Sequence, residues 1–300
     1  MGDHMDEFPL GKMAKVFNIS RSGFYNIKKE QSPTKAKNAD LLIKIKDAHE
    51  KSRHVYGSPR IHAVLKKQGE SCSRKRIAKI MKNHSIQAKS KKKWKATTKG
   101  SRDLSRIEPN LLDQNFKIDC ANKVWVTDIT YVHTREGWLY VSTVLDLFSR
   151  RIVGLSMGSK MDTALVLKSL YQAMIHRMPS PGLMIHSDRG SQYTSDDFKN
   201  SLKASGFIQS MSAKGNCYDN AVMESFFHTL KTEHVFFNDY KTREEASVSI
   251  FEYIEVFYNR QRLHSVLSYT SPVEFEKNCF LEIGQTQSRV KLARPAMEVS

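Results

Sequence analysis

Val124-Trp125-Val126-Thr127-Asp128-Ile129-Thr130-Tyr131 decides the fold. Its β-branched and aromatic residues are strand formers, and an aspartate interrupts them. A charge in the middle of an apolar strand is costly unless a cation or a partner compensates it, the bland alternative being an aspartate that faces solvent on an edge strand. Working outward, residues 123–134 read as a strand, Arg135-Glu136-Gly137 as a turn, and 138–148 and 151–158 as two more strands, an antiparallel meander. Residues 162–178 carry Leu165, Leu167, Leu170, Ala173 and Met174 at helical spacing and end at Pro179-Ser180-Pro181-Gly182. A buried strand over 183–186, a helix over 196–204, a strand over 208–211 and a helix over 219–234 complete the body. The order βββαβαβα predicts an α/β fold with a mixed sheet flanked by helices.

Two further carboxylates stand in readable settings. Asp188 follows an apolar strand in His186-Ser187-Asp188-Arg189-Gly190, where a loop can aim it at the end of the Asp128 strand. Glu224 lies in the helical stretch Asp219-Asn220-Ala221-Val222-Met223-Glu224-Ser225-Phe226-Phe227, with 35 residues between it and Asp188. Acidic groups gathered from a strand, a neighbouring strand end and a packed helix can hold two Mg²⁺ ions on either side of an in-line phosphoryl displacement. His228 and Lys231, four and seven residues after Glu224, share its helix face and are candidates to touch a DNA end; a packed His and a solvated Lys are the alternative. Asp146 has apolar flanks and reads as a structural partner or an extra ligand. Asp219 with Asn220 reads as the cap of the Glu224 helix.

The chain has 300 residues and a formal charge of +17. Residues 1–100 hold 25 Lys and Arg against 8 Asp and Glu, whereas residues 101–300 hold 23 against 23, so the whole surplus lies in the first third. A polyanion-binding arm on a neutral body follows, because phosphate neutralisation drives nucleic-acid affinity. Cys72, Cys120, Cys217 and Cys279 form no C-x-x-C pair, which argues against a disulfide framework or zinc finger and fits a reducing cytosol. No signal peptide or long apolar run is present, so neither secretion nor a membrane span is expected.

In the basic third, 12–17 and 21–28 read as a small helical pair, the second capped by Ser20. An amphipathic helix is expected over 40–51. The next opens at Ser58-Pro59 and closes at Gly69, and a further one over 74–83 is capped by Ser73. The last two resemble a helix-turn-helix whose second helix carries Arg74, Lys75, Arg76 and Lys79 as DNA contacts; a basic hairpin packed on the body is the alternative. Residues 88–106, with Lys91-Lys92-Lys93-Trp94-Lys95, read as a linker that can lie along DNA. Toward the C-terminus, 243–258 is amphipathic with Phe251, Ile254 and Phe257, Arg260 and Arg262 are candidate phosphate contacts, and Ser271-Pro272 starts a last helix.

These words together resemble a known family. Trp125 to Tyr131, Leu145-Asp146-Leu147-Phe148-Ser149-Arg150, His186 to Tyr193, Asn216 to Ala221, Glu224 to Phe227, Leu230-Lys231-Thr232-Glu233 and Tyr258 to His264 are similar to the D-D-E core of bacterial insertion-sequence transposases, kin of retroviral integrases. More narrowly, the chain resembles the second-reading-frame product of the IS-three family. The resemblance implies an RNase-H-like five-stranded sheet (integrase catalytic core) over 101–235, a basic all-α helix-turn-helix-like region and linker over 1–100, and a helical extension over 236–300. It implies metal-dependent catalysis by Asp128, Asp188 and Glu224 with Mg²⁺, for which Mn²⁺ can substitute. The expected reactions are strand cleavage and 3′-hydroxyl strand transfer. The partners implied are terminal inverted repeats and target DNA, further copies of the chain in the DNA complex, and a first-reading-frame protein, separate or fused by frameshift. The expected place is the bacterial cytoplasm, at the nucleoid. A simple nuclease or resolvase of the same fold, and a DNA-binding regulator with an inactive core, are the rivals.

Overall fold

The computed structural model describes residues 6–20, 22, 33–89, 107–213 and 217–281. The chain divides into two compact units, Met1–Ala88 and Lys89–Ser300. The expected helix over 21–28 and the Lys-rich linker with Trp94 lie outside the described residues.

In the first unit α1 spans Leu10–Val16, α2 Pro33–Lys51, α3 Ser58–Lys67 and α4 Arg74–Asn83. Helix α2 starts earlier than its apolar stripe suggests, at a proline whose fixed φ suits a first turn. Helix α3 is capped at Gly57 rather than Ser58; glycine has no side chain to make a cap bond, and Pro59 in the first turn leaves one N–H fewer to satisfy. It closes at Gly69, whose φ of +88° is the left-handed conformation that ends helices. Ser73 caps α4 as expected, its Oγ accepting from the Arg76 N–H at 3.3 Å. Leu41, Ile45 and Ala48 of α2, Ile61 and Leu65 of α3, and Ile77, Ile80 and Met81 of α4 are buried and form this unit's core.

The second unit is built on a five-stranded sheet in the order β3-β2-β1-β4-β5. Strands β1 (Val124–Thr134), β2 (Gly137–Asp146) and β3 (Ile152–Gly158) form the antiparallel meander, and β4 (Met184–Ser187) and β5 (Ile208–Met211) run parallel to β1. Helix α5 (Thr163–Arg177), capped by Asp162, crosses over to β4, and α6 (Asp196–Ala204), capped by Ser195, crosses over to β5. Trp125, Val144, Val153, Val166, Leu170, Ala173, Ile185, Phe198 and Leu202 make the core between sheet and helices. At Gly154 a Cβ would stand 2.1 Å from the Ser169 carbonyl oxygen, so only glycine lets α5 lie this close to β3.

Helix α7 (Ala221–Glu233) and α8 (Arg243–Glu252) follow, and α8 runs on into a π-helical turn, Tyr253–Tyr258. Ala246, Ile250, Tyr253, Ile254, Phe257 and Tyr258 form the buried stripe, whereas Phe251, expected among the inward positions, lies beside that stripe and is 50% exposed. Asn259 then bonds both the N–H and the C=O of Ile152, each at 3.0 Å, and so covers the open edge of β3. A last helix, α9 (272–281), places Glu276 where it accepts from Ser149 at 2.7 Å and from Arg151 and Arg177 at 2.9 Å. Among the described residues no helix is long and apolar enough to cross a membrane.

Candidate active site

The register of β1 against β4 makes the site. Val124 pairs with Met184, Trp125 with Ile185 and Val126 with His186. Continuing that register by two residues sets Asp128 level with Asp188, which follows the last residue of β4, on strands about 4.8 Å apart. Both carboxylates are half-buried. Burial foremost, then the charge of Asp188 and to a lesser degree that of Glu224, raises the Asp128 carboxyl well above the usual carboxylate range; the Ile129 N–H, 2.7 Å away, and Lys231 pull it back. Burial likewise raises Asp188, whose Oδ1 accepts from the Gly190 N–H at 2.9 Å.

His186 holds the strand beneath Asp188. Ser210 Oγ accepts from the Leu111 and Leu112 N–H groups at 2.9 and 3.3 Å, so its proton goes to His186 Nδ1 at 2.9 Å. The other ring nitrogen then donates to Ser212 Oγ at 3.2 Å. The ring is therefore satisfied as a neutral imidazole, and its burial pushes the pKa down to about 4.

Helix α7 approaches after a 3₁₀ turn, Cys217–Asn220, and is anchored by buried Met223, Phe226, Phe227 and Leu230. Glu224 is exposed in its first turn. His228 is exposed, whereas Lys231 is half-buried, its charged form disfavoured by burial and supported by Asp128, with Nζ 4.9 Å from the Tyr131 ring centre. Asn220 donates from Nδ2 to Asp128 Oδ2 at 3.1 Å, while its own Oδ1 is buried without a partner. Asn220 stands at the N-cap of α7 as expected, but its side chain makes no cap bond there. Asp219 instead accepts from Asn110 and Gln114 at 2.9 and 3.1 Å and from the Ala213 N–H at 2.7 Å, fastening the turn to the 107–114 segment.

The chemistry of the three carboxylates, hard anionic oxygens of which those of Asp128 and Asp188 are partly desolvated, fits a hard divalent cation such as Mg²⁺. Asp128 and Asp188 are brought together; Glu224 reaches Asp128 through its charge, and among the described residues no three His, Cys, Asp or Glu stand close enough to hold an ion. Asp146 is no ligand. It is buried, accepts from the Asn122 N–H at 2.8 Å, Trp125 Nε1 at 3.3 Å and the Phe148 N–H at 3.0 Å, and pairs with Arg177 at 3.5 Å.

Of the expected DNA contacts, Arg74, Lys75 and Lys79 are exposed on α4, while Arg76 is tied to Asn38 at 2.8 Å. Arg260 is exposed. Arg262 is not available for phosphate: it is buried and grips Glu233 of α7 with two bonds of 2.7 and 2.6 Å. Sequence reasoning missed Asn220, Tyr131 and Glu233. The signal for Glu233 was present in its place two residues after Lys231, on the turn that Arg262 must meet.

A five-stranded mixed sheet of this order, with a carboxylate inside its first strand level with one just past the end of its fourth, defines an integrase-type core. Residues 119–217 match the family described as integrase core domain, 35–94 an HTH-like domain and 224–280 a second integrase core description. The chain is 44% identical over 266 residues to the insertion element IS600 uncharacterized 31 kDa protein of Shigella sonnei, covering 88% of this chain and 97% of that protein. It is 46% identical to the transposase for insertion sequence element IS904 of Lactococcus lactis, over 79% and 93% of the two chains. It is 36% identical to the transposase InsF for insertion sequence IS3A of Escherichia coli, over 91% and 96%. Among solved structures, the HTLV-2 integrase catalytic core domain in complex with magnesium aligns with a TM-score of 0.42 at 14% identity, over 52% of this chain and 97% of that one. The chain belongs to the insertion-sequence transposases with an integrase core.

Proposed function

We propose that the protein is a polynucleotidyl transferase that cleaves one DNA strand at an element end with water and then joins the freed 3′-hydroxyl to target DNA. The observation that carries this reading is the level placement of Asp128 and Asp188 on neighbouring strands, with the Glu224 helix within electrostatic reach. Asp128, Asp188 and Glu224 would hold Mg²⁺, which Mn²⁺ can replace. Such an ion, when bound, activates the attacking oxygen and stabilises the leaving one. Asp128 and Asp188 sit where their charges are poorly solvated, so a cation relieves a cost already present. Lys231 and His228 orient a phosphate of the reacting strand from the same helix face. In each step the attacking oxygen, of water in the first and of the 3′-hydroxyl in the second, loses a proton as it bonds to phosphorus, and the 3′-oxygen whose bond to phosphorus breaks takes one up; no covalent protein intermediate forms. The basic helices of the first unit bind DNA, with Arg74, Lys75 and Lys79 turned outward for it. Inverted repeats and target DNA are the substrates, copies of this chain are the partners in the DNA complex, and a first-reading-frame protein is a further one.

The test is strand transfer on labelled element ends. Asp128→Asn, Asp188→Asn and Glu224→Gln each keep the shape and remove the charge; each is expected to lose at least about 100-fold in cleavage and joining while DNA binding persists. Near-normal joining in Mg²⁺ by any one of them sinks that residue's role. Cleavage without joining by the wild type favours a plain nuclease instead.

A further inference from the structure

We infer that the exposed aromatic face beside Lys231 is a stacking subsite for an unpaired nucleobase next to the reacting phosphodiester. The inference rests on the DNA-joining reading above and adds a ligand group and its residues. Alternation along β1 puts Tyr131 and His133 on one face and Asp128 on the other, and the β1–β2 register sets Tyr140 and Trp138 beside the two aromatic positions. At this end of the hairpin the face is uncovered: Tyr131 is 37% and Trp138 43% exposed, and His133 is exposed too. Trp138 meets Tyr131 edge-on at 5.0 Å and 82°, and His133 at 5.3 Å and 81°.

Charge selects the occupant. Lys231 lies over the Tyr131 ring at 4.9 Å and is at the same time the cation that Asp128 feels. The aromatic face is thus joined to the carboxylate site by one ammonium group. β4 pairs with β1 only over Val124–Val126, so beyond it that edge of β1 is open, and a strand passing round it can set a base on the ring and a phosphate on the ammonium while the scissile bond lies at the carboxylates. A purely apolar partner would leave Lys231 buried against it, at a desolvation cost. Duplex DNA offers no free base face except at a frayed or single-stranded end, so the subsite takes an end whose last base has left its partner.

The experiment uses the full chain in Ca²⁺, so that binding is read without chemistry. Element-end duplexes carry 2-aminopurine at each position near the reacting bond in turn. Quenching by stacking is expected at one or two positions in the wild type, lost in Trp138→Leu and Tyr131→Leu, and kept in Trp138→Phe. Leucine keeps an apolar side chain at each position, and melting curves check that the variants stay folded. In Mg²⁺ the leucine variants are expected to join ends about tenfold more slowly, and less so when the duplex is already single-stranded at that base. Equal quenching in wild type and both leucine variants overturns the subsite, as does a change of oligomeric state in the variants with quenching unaltered, since the face would then belong to a second copy. A wild type that quenches but never joins ends leaves the subsite standing and sinks the joining reading.

Discussion

At the scale of single residues, the candidate site is held under electrostatic stress. Burial and Asp188 raise the Asp128 carboxyl, so the folded chain keeps a proton there above about pH 4, where the unfolded chain has lost it. The sign follows: this group costs stability as pH rises through that window, and the cost is fully present once pH exceeds the raised value. In EDTA at neutral pH, Asp128→Asn is therefore expected to melt a few degrees above the wild type even as activity disappears. Added Mg²⁺ should raise the melting point of the wild type only; a variant that melts lower in EDTA contradicts the argument. His186 has the opposite sign. Its pKa falls to about 4, so it contributes stability that is complete above about pH 6.5 and lost as pH drops toward 4, about 3 kcal/mol in all. Urea titrations at pH 7 and 4.5 should show the gap, and His186→Gln should shrink it. Asp128 was legible because a charge inside a β-branched strand demands a reason. Asn220 was not, because an Asn before a helix reads as its cap, whereas here its amide is spent on a carboxylate 92 residues away in sequence.

At the scale of elements, the order of strands and helices was legible from periodicity and from caps such as Ser73, since those are local properties; the caps at Asp162 and Ser195 emerged only with the structure. What holds the C-terminal helices was not, because ion pairs between distant segments leave no period in a sequence. Arg262 looked like a phosphate contact in a basic word. It is instead clamped to Glu233, which also accepts from the Tyr253 hydroxyl at 2.9 Å, so the far end of α7 is fixed to the chain that follows the π-helical turn. Because that helix carries Glu224 at its other end, the clamp sets the candidate site's geometry from a distance. Removing one partner strands a buried charge, so Arg262→Ala is expected to cost about 3–5 kcal/mol by chemical unfolding. Arg260→Ala, on an exposed side chain, is expected to leave unfolding unchanged and to weaken DNA binding modestly. Equal stability of the two variants would place Arg262 outside the scaffold after all.

At the scale of the whole molecule, charge and chemistry are divided. The entire surplus of +17 lies in residues 1–100, while residues 101–300 are balanced at 23 against 23. Removal of residues 1–100 is expected to weaken non-specific DNA binding and to flatten its salt dependence, because each phosphate no longer neutralised takes about 0.9 from the slope of log affinity against log salt. Within that third, the structure separates what sequence could not. Arg74, Lys75 and Lys79 face outward from α4, whereas Arg76 is engaged with Asn38 inside its own unit. Replacing Arg74, Lys75 and Lys79 together by Ala should therefore leave the fold intact, since Ile77, Ile80 and Met81 hold the helix from its other face. If these side chains read bases, the ratio of affinity for element ends over random DNA collapses, by about 1–3 kcal/mol for each base read. If they only hold phosphates, both affinities fall together and the salt slope drops by up to about 3. An unchanged slope and an unchanged ratio would remove α4 from the DNA interface altogether.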